Sequence, residues 1–271
     1  MTSITARLND LRQQKRKGLV AYVTAGDPHP DRTVSLVLAL ERGGADIIEL
    51  GVPFSDPIAD GPTIQRGAER ALAAGTTMRK VLEMASNIRT HSDVPLVLFT
   101  YLNPVLKYGL PALARDAKAS GIDGVLLTDL SVEEADRHLE PLREHNLDTV
   151  FLAAPTSSDH RLQLVAKYST GFVYLVSRAG VTGERDTLSG SAAPLVERMR
   201  QLTSLPLALG FGISTPAQAG EAAQLADAVV VGSAIVRQIE ETSQYEGAAM
   251  EERLEAFIRK LKNAILKENQ G

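Results

Sequence analysis

Short apolar runs rich in β-branched residues recur along the whole chain and alternate with longer amphipathic stretches. Runs that are apolar at almost every residue are typical of strands buried on both faces of a parallel sheet. Eight such runs predict strands at Leu19–Thr24, Ile47–Leu50, Leu96–Tyr101, Val125–Thr128, Thr149–Ala153, Phe172–Val176, Leu207–Leu209 and Ala228–Val231.

The segments between these runs place apolar residues at helical spacing, which predicts a helix in each connection. In one of them, Val132–His145, the preceding Ser131 and the following Glu134 have the spacing of a capping box. The other connecting helices are predicted at Asp31–Arg42, Asp159–Tyr168, Ala192–Leu202 and Pro216–Leu225.

Eight strand–helix repeats predict an α/β fold, a (β/α)8 TIM barrel formed by residues 1–271 as a single domain, with a doubly wound open sheet as the alternative. An N-terminal extra helix, Ile4–Lys17, would cover the bottom of the barrel, and Met250–Lys267 would pack on its outside. Extended loops are expected after strand two, within Pro53–Gly75, and after strand six, at Ser177–Ser191. The second has the character of a lid or of a solvated surface loop.

Composition excludes several classes of function. The 271 residues carry a net charge of −4 with scattered basic residues, which argues against a nucleic-acid surface. The chain has no cysteine, so disulfides and thiolate chemistry are excluded. No apolar run approaches the roughly 20 residues of a membrane span, and the first residues have no apolar signal core. We therefore expect a cytoplasmic protein.

The predicted strand ends lack the usual nitrogen nucleophiles and bases. None of the five histidines falls at the carboxyl end of a predicted strand, and no lysine lies within the eight runs. A histidine acid–base pair, a histidine-rich metal site and a lysine Schiff base are therefore disfavoured. Carboxylates, hydroxyls and backbone dipoles remain for the chemistry.

Two acids in the stretch ELGVPFSDPIADGPTIQ are the strongest candidates. Glu49 ends an apolar run and shares a face with Ile47, so it would point into the barrel, where burial raises the pKa of a carboxyl group. The alternative is an exposed glutamate at a fraying strand end. Asp60 lies in a turn-rich loop, where it is either a second acid of the site or the N-cap of the next helix. A buried acid facing a loop acid suits general acid–base chemistry.

The remaining acids have weaker patterns. Asp129 ends strand four and is a third candidate, since acids at barrel strand ends are often functional. Asp56 is expected to cap a turn or contact a subunit, and Asp27 is expected to be a turn residue beside Pro28.

Glycine-rich segments after the last two strands predict a phosphate site. GFGIST, at Gly210–Thr215, and VGSAI, at Val231–Ile235, each open a predicted helix, whose N-terminus favours an anion. The loops after strands seven and eight are a recurring phosphate site in TIM barrels. Ala179–Gly183 would add donors from the lid. Glycines that only permit tight turns are the alternative.

Seven motifs, in order along almost the whole chain, carry a family resemblance: YVTAGDP (Tyr22–Pro28), DIIELGVPFSDPIADGPTIQ (Asp46–Gln65), YLNP (Tyr101–Pro104), TDLSVEE (Thr128–Glu134), YLVSRAGVTG (Tyr174–Gly183), GFGIS (Gly210–Ser214) and VGSAIV (Val231–Val236). With them the chain resembles the tryptophan synthase alpha chain family. The resemblance implies a lyase that cleaves indole-3-glycerol phosphate to indole and glyceraldehyde 3-phosphate. It also implies that the protonated indole ring is its own electron sink, so no cofactor is needed in this chain.

The resemblance also assigns residue roles. Glu49 would be the acid–base that protonates C3 and takes the side-chain hydroxyl proton, and Asp60 would hold the indole N–H. The remaining contacts implied by the family are Tyr22 and Phe211 in the indole pocket, Tyr174 near the glycerol chain, Thr182 against Asp60 on closure, and Gly183, Gly212, Gly232 and Ser233 at the phosphate.

The family's partner is a beta chain in an α2β2 heterotetramer, which carries pyridoxal phosphate and receives indole through a tunnel. Pro53–Asp60 and Asn103–Gly109 would lie at that interface. Two departures are visible: Tyr22 replaces a common phenylalanine, and Ser131 replaces the proline of the usual DLP. The first would alter the polarity of the pocket, and the second puts the interface contacts of that loop in doubt.

Three other functions compete with this one. A sugar-phosphate isomerase or the synthase that forms indole-3-glycerol phosphate would share the phosphate site, but such enzymes usually need a lysine or histidine at a strand end. The sequence hardly separates a stand-alone indole-releasing lyase from a complexed alpha chain; a beta-chain gene beside this one would. A non-catalytic activating subunit would not need both Glu49 and Asp60.

Overall fold

The strands form a nearly closed barrel. The computed structural model describes residues 3–176, 188–210, 212–244 and 248–267. Its strands are β1 Gly18–Thr24, β2 Ile47–Gly51, β3 Leu96–Thr100, β4 Gly124–Leu127, β5 Asp148–Val150, β6 Leu152–Ala153, β7 Val173–Val176, β8 Leu207–Gly210 and β9 Ala228–Val231. All pairs are parallel, in the order β5-β4-β3-β2-β1-β9-β8-β7-β6.

The two ends of this strand order are β5 and β6, which are separated along the chain only by Phe151. They are the two halves of the predicted fifth strand, and β5 pairs with β4 while β6 pairs with β7. The sheet therefore closes on itself. The predicted barrel is confirmed, and the open-sheet alternative is wrong.

The inside of the barrel is filled by side chains at every second strand position. Helix α1, Ser3–Gln13, inserts Ile4, Leu8 and Leu11 among these inward residues and closes the bottom, as predicted. Bulky apolar side chains make the barrel a packed core rather than a channel. The inward set includes Val20, Ile47, Val97, Leu126, Val150, Phe172, Ala208, Ala228 and Val230.

Outward strand residues pack against a layer of helices, because parallel strands are covered on both faces. The last helix, α12 (Ala249–Lys267), packs against α2 (Thr33–Gly43) and α10 (Pro216–Leu225) on the outside of the barrel, as predicted. The helices that follow α1 are α2 Thr33–Gly43, α3 Pro62–Ala73, α4 Met78–Arg89, α5 Leu102–Tyr108, α6 Leu110–Ala119, α7 Glu140–Glu144, α8 Asp159–Tyr168, α9 Leu188–Leu202, α10 Pro216–Leu225, α11 Ser233–Thr242 and α12 Ala249–Lys267.

One predicted helix is wrong in part. Val132–His145 is a 3-10 segment over Val132–Arg137 followed by the short α7. Pro141 has no N–H and its ring opposes a continuous helix, so the two turns stay separate. The capping box is absent, because the Ser131 hydroxyl bonds the Glu133 carboxylate instead of an amide.

The two extended loops follow the expected strands, but each is partly helical. The stretch after β2 runs as an irregular loop to Gly61 and then forms α3. Of the expected lid, residues 188–191 belong to α9, and residues 177–187 lie outside the described part of the chain. Among the helices described, none is both long and apolar enough to cross a membrane.

A buried carboxylate ties both end helices to the barrel wall. Asp46, 2% exposed, pairs with Arg7 of α1 at 2.7 Å and with Lys262 of α12, and accepts the Leu19 N–H at 2.8 Å. Lys262 also donates to the carbonyl of Lys17 at 3.1 Å. Burial lowers the pKa of Lys262, and the Asp46 charge opposes this shift.

Lys262→Met is expected to destabilise the fold by about 3 kcal/mol, because breaking a buried pair leaves Asp46 with only part of its compensation. Chemical denaturation measures the loss. Lys260→Met, an exposed lysine of the same helix, is the control and should change stability by less than about 0.5 kcal/mol. Equal losses in the two variants would contradict a stabilising role of the Asp46 pair.

Candidate active site

A cavity of about 280 Å3 opens at the carboxyl-terminal ends of the strands. This is the end of a TIM barrel at which active sites are assembled. Residues from the loops after β2, β8 and β9 contribute polar groups to its lining, among them Asp60 and Ser233. The apolar part of the lining would suit a flat hydrophobic ring; it includes Phe99, Leu152, Val176, Ile213 and Val230.

Glu49 lies on the inward face of β2, near Tyr174 of the cavity lining, and is not itself a lining residue. It pairs in register with Tyr22 of β1 and Val97 of β3, and is 1% exposed. Burial raises its pKa to about 8, and its Oε1 atom has no hydrogen-bond partner. A buried polar atom without a partner costs about 1–3 kcal/mol and is expected mainly where function requires it.

Asp60 lies in the loop before α3 and lines the cavity. Burial raises its pKa to about 6, and a hydrogen bond from the Tyr101 hydroxyl opposes the shift. The same hydroxyl accepts the Ala59 N–H at 3.1 Å, and Gln65 Nε2 donates to the Asp60 carbonyl at 2.8 Å. The N-cap of α3 is Gly61, with no side-chain cap, so the alternative that Asp60 caps this helix is wrong.

Tyr101 is a site residue that the sequence reasoning did not single out, although YLNP was among the motifs. Its side chain is 2% exposed, and its ring packs on Phe54 at 5.2 Å between centroids. Tyr101 thus fixes the loop through Phe54, Ala59 and Asp60. The available signal was an aromatic residue at the carboxyl end of a predicted strand.

The two predicted tyrosines take different places. Tyr174 lines the cavity, and burial and the nearby Glu49 charge raise the pKa of its hydroxyl. Tyr22 is 5% exposed; its ring packs edge-on against Phe99 at 5.0 Å, and its hydroxyl lies 3.3 Å from Thr24 Oγ1. The lining includes Phe99 but not Tyr22.

The part of the cavity formed by the loops after β8 and β9 has the features of an anion site. Gly212, Gly232 and Ser233 all line it, and α11 begins there with Gly232 at its N-cap and no side-chain cap. Uncapped backbone N–H groups at a helix N-terminus favour negative charge. The exposed Arg237, one turn further along α11, also lines the cavity.

The helix after β8 does not contribute its N-terminus, contrary to expectation. Thr215 and Gln218 form a capping box at the start of α10, and the Gln218 side chain also accepts the Ser214 N–H at 2.9 Å. The N–H groups of Ser214, Thr215 and Gln218 therefore already have hydrogen-bond acceptors within the protein. What GFGIST supplies to the cavity is the Ile213 side chain and Gly212, which is in the left-handed region at φ 79°.

Comparison with known proteins agrees with this geometry. The family model described as "Tryptophan synthase alpha chain" matches residues 8–266. The tryptophan synthase alpha chain of Solibacter usitatus is 62% identical over 265 residues, covering 98% of both chains. The chain belongs to the tryptophan synthase alpha chain family.

Solved structures extend the match. The tryptophan synthase alpha chain of Legionella pneumophila subsp. pneumophila superposes with a TM-score of 0.89 at 35% identity, covering 98% of this chain and 97% of that one. A chain of tryptophan synthase from M. tuberculosis gives 0.87 at 37% identity, covering 98% and 100%. As a member of this family, the protein is a lyase and has the role of the alpha subunit in tryptophan biosynthesis. The family, the fold and the enzyme class predicted from the sequence are therefore confirmed.

Some residues that the family resemblance points to cannot be placed. Thr182, Gly183 and Phe211 lie outside the described residues. Within the ranges described, histidine, aspartate and glutamate side chains form no group of three or more that could hold a metal ion.

The other acids discussed, Asp27, Asp56 and Asp129, do not line the cavity. Asp129 accepts the Leu102 N–H at 2.7 Å at the start of α5, and the exposed Asp56 accepts the Ser55 hydroxyl at 2.5 Å. Asp27 is not a simple turn residue, because it is fully buried and paired with Arg70. Asp27 precedes cis Pro28, and no pattern in the sequence indicated that this acid is buried.

Proposed function

We propose that this cavity cleaves indole-3-glycerol phosphate to indole and glyceraldehyde 3-phosphate, with Glu49 as the proton carrier. The observation that supports this most directly is a buried glutamate with a raised pKa and an unpartnered oxygen, near Tyr174 of a mainly apolar cavity. Rotation of the Glu49 side chain toward the cavity breaks no hydrogen bond of Oε1. The carboxyl group can therefore reach a substrate at little cost.

Glu49 starts the reaction as an acid. With a pKa of about 8 it is protonated near neutral pH and can give its proton to C3 of the indole ring. The ring then carries a positive charge. The Glu49 carboxylate takes the proton of the hydroxyl next to C3, the C–C bond breaks, and its electron pair returns to the ring. Glyceraldehyde 3-phosphate and indole leave, and Glu49 is protonated again.

Asp60 stabilises the charge that appears on the ring. Its pKa of about 6 makes it mostly ionised at neutral pH, so it can accept the indole N–H. A carboxylate that is already oriented by Tyr101 favours the cationic intermediate without reorganisation. Thr182 is proposed to contact Asp60 on closure, with Tyr22 and Phe211 near the ring and Tyr174 near the glycerol chain.

The phosphate is proposed to bind at the N-terminus of α11. Gly212, Gly232 and Ser233 would supply backbone and hydroxyl donors, and Gly183 would add one from the loop after β7. Arg237 lines the same end and would add a positive charge. In this proposal the phosphate lies against the N-terminus of α11 and the ring lies against Asp60.

Gly212→Asp is expected to raise the KM for indole-3-glycerol phosphate about tenfold or more, with a smaller change in kcat, because a charged side chain would project beside the phosphate. Steady-state kinetics measure the change. Gly75→Asp is the matched control, since Gly75 has φ 78° against 79° for Gly212 but lies away from the cavity. An unchanged KM in the Gly212 variant would place the phosphate elsewhere.

Family membership implies a beta-chain partner, and we propose an α2β2 heterotetramer with pyridoxal phosphate only in the beta chain. The proposed contact surface joins Pro53–Asp60 to Asn103–Gly109. Two large apolar side chains there are exposed, Ile58 at 84% and Leu106 at 54%. Exposed apolar groups of this size suit a protein interface. A cytoplasmic location remains a prediction.

The proposed function is tested by indole release. The purified chain is incubated with indole-3-glycerol phosphate, alone and with a beta chain, and indole and glyceraldehyde 3-phosphate are quantified. We expect equal amounts of both products and faster release with the beta chain. No release under either condition would overturn the proposed function, and release without a beta-chain effect would overturn the proposed coupling.

A further inference from the structure

A cluster of four charged side chains lies outside the groups used in the proposed chemistry. The Arg70 guanidinium donates to both oxygens of Asp27, at 2.7 and 2.9 Å, and to Glu240 Oε1 at 2.7 Å. Arg66 donates to both oxygens of Glu240 at 2.9 Å each. The cluster thus joins the loop after β1 to α3 and α11.

The N-termini of the two joined helices both line the cavity. Helix α3 begins two residues after Asp60, and its first residues, Pro62 to Ile64, line the cavity. Helix α11 begins with Ser233 at the proposed phosphate end. Arg70 and Glu240 lie about two helical turns, roughly 10–12 Å, along these helices. The cluster is therefore behind both ends and touches neither.

Packing holds the same two helices in close contact. A Cβ atom on Gly67 of α3 would lie 2.9 Å from Val236 Cγ1 of α11 and 3.0 Å from Asp27 Oδ2. Such distances are shorter than side chains normally allow, so α3 approaches as closely as a glycine permits. Ion pairs and packing therefore fix one separation between α3 and α11.

The burial of Asp27 makes its pairing with Arg70 necessary for this arrangement of α3 and α11. It is fully buried, and burial raises its pKa, while the hydrogen bonds and charge of Arg70 oppose that shift. A buried carboxylate without Arg70 would be uncompensated. Hydrogen bonds from Arg66 hold the pKa of Glu240 at about 2, so the second acid stays charged.

We propose that Asp27, Arg70 and Glu240 are positioning residues that set the distance between the Asp60 end and the phosphate end of the cavity, matching it to the length of the substrate. This rests on the proposed function. A rigid separation matters because misplacing reacting groups by about 1 Å can cost about 100-fold in rate. The cluster then acts on molecules that span both ends, and not on molecules that fill one end.

The test compares linked and unlinked ligands on Arg70→Gln and on the parent chain. The probes are indole, glycerol 3-phosphate and indole-3-propanol phosphate, in which three carbons join the ring to the phosphate. We expect Arg70→Gln to bind the two fragments within about twofold of the parent, but the linked probe about tenfold more weakly, with kcat reduced about tenfold. Calorimetric titration and steady-state kinetics give these values.

Arg89→Gln is the matched control, because Arg89 is similarly shielded, 21% exposed against 27% for Arg70. It pairs with Asp123 and with the carbonyls of Val94 and Gly121, away from the cavity. We expect it to lower the melting temperature and to leave linked-probe binding unchanged. Equal losses of linked-probe affinity in the two variants, or equal weakening of fragments and linked probe in Arg70→Gln, would overturn the positioning role.

A second variant covers the case in which Arg70→Gln does not fold. Gly67→Ala keeps all four charges and pushes α3 away from Val236. It should show the same selective loss of linked-probe affinity, and parent-like binding would overturn the proposal. Failure of the proposed function would be distinguishable from failure of the positioning role, because in that case the parent chain itself would release no indole.

Discussion

Glu49→Gln is expected to lower kcat for indole release by about 10³–10⁴-fold while the substrate still binds with a similar dissociation constant. Glutamine keeps the size and hydrogen-bonding reach of the side chain but cannot give or take a proton. The titratable neighbours of Glu49 are Tyr22 and Tyr174, and burial raises the pKa of both hydroxyls far above neutral pH, so neither can replace it. Single-turnover kinetics and equilibrium binding separate the two effects. A kcat within tenfold of the parent would remove Glu49 from the proton-carrying role.

Glu49→Gln should also raise the free energy of unfolding relative to the parent at pH values above about 4.5. The carboxyl pKa rises from 4.5 to about 8 on burial, so between these values the folded chain holds a proton that the unfolded chain has released. The parent therefore loses stability relative to the glutamine variant as pH rises from about 4.5 to about 8, and the difference then levels off. Its ceiling is on the order of a few kcal/mol. Denaturation at pH 4.5 and pH 8 measures it, and a difference that does not grow between them would contradict the buried, unpaired environment.

Asp60→Asn is expected to lower kcat by about 10²–10³-fold, the cost of losing one preorganised electrostatic contact. It should also change the pH profile. In the parent, kcat/KM should fall below pH about 6, where Asp60 is protonated, and above about 8, where Glu49 has lost its proton. The variant should lose the acidic limb and keep the alkaline one. Measurement of kcat/KM between pH 5 and 9 decides this.

The matched control for Asp60→Asn is Asp56→Asn, an exposed acid of the same loop that does not line the cavity. Its activity without a beta chain and both limbs of its pH profile should match the parent. An acidic limb that persists in Asp60→Asn would assign that limb to another group. Normal turnover in Asp60→Asn would leave Asp60 as a loop residue held by Tyr101.

The barrel could be predicted because its signal is local. Near-continuous apolar runs mark buried parallel strands, and all eight predicted runs became strands, the fifth as two halves around Phe151. Glu49 was readable for the same reason, since period-two alternation on a strand fixes which face a residue takes. Burial and the raised pKa then follow from that face.

Features set by contacts between distant segments could not be predicted in this way. The Arg70 partner of Asp27 lies 43 positions away, and the Tyr101 partner of the Asp60 loop lies about 40 positions away. No local pattern joins such residues. The wrong helix at Val132–His145 is a different case, because Pro141 was a visible breaker that the amphipathic pattern outweighed. The capping box of Thr215 and Gln218 at the start of α10 was also a local pattern. It was missed because the glycine-rich segment before it was interpreted as a phosphate site.

The seam between β1 and β9 has a consequence for folding kinetics. Val20 pairs with Val230 there, so the seam joins the first strand to the last and carries a large loop-closure entropy. Glu49 and Asp60 belong to the early part of the chain, and the N-terminus of α11 follows β9 directly. A refolding chain would acquire most of its helices before the seam forms, yet remain inactive. Recovery of indole release would therefore report the pairing of β1 with β9, while circular dichroism would report the earlier formation of helices.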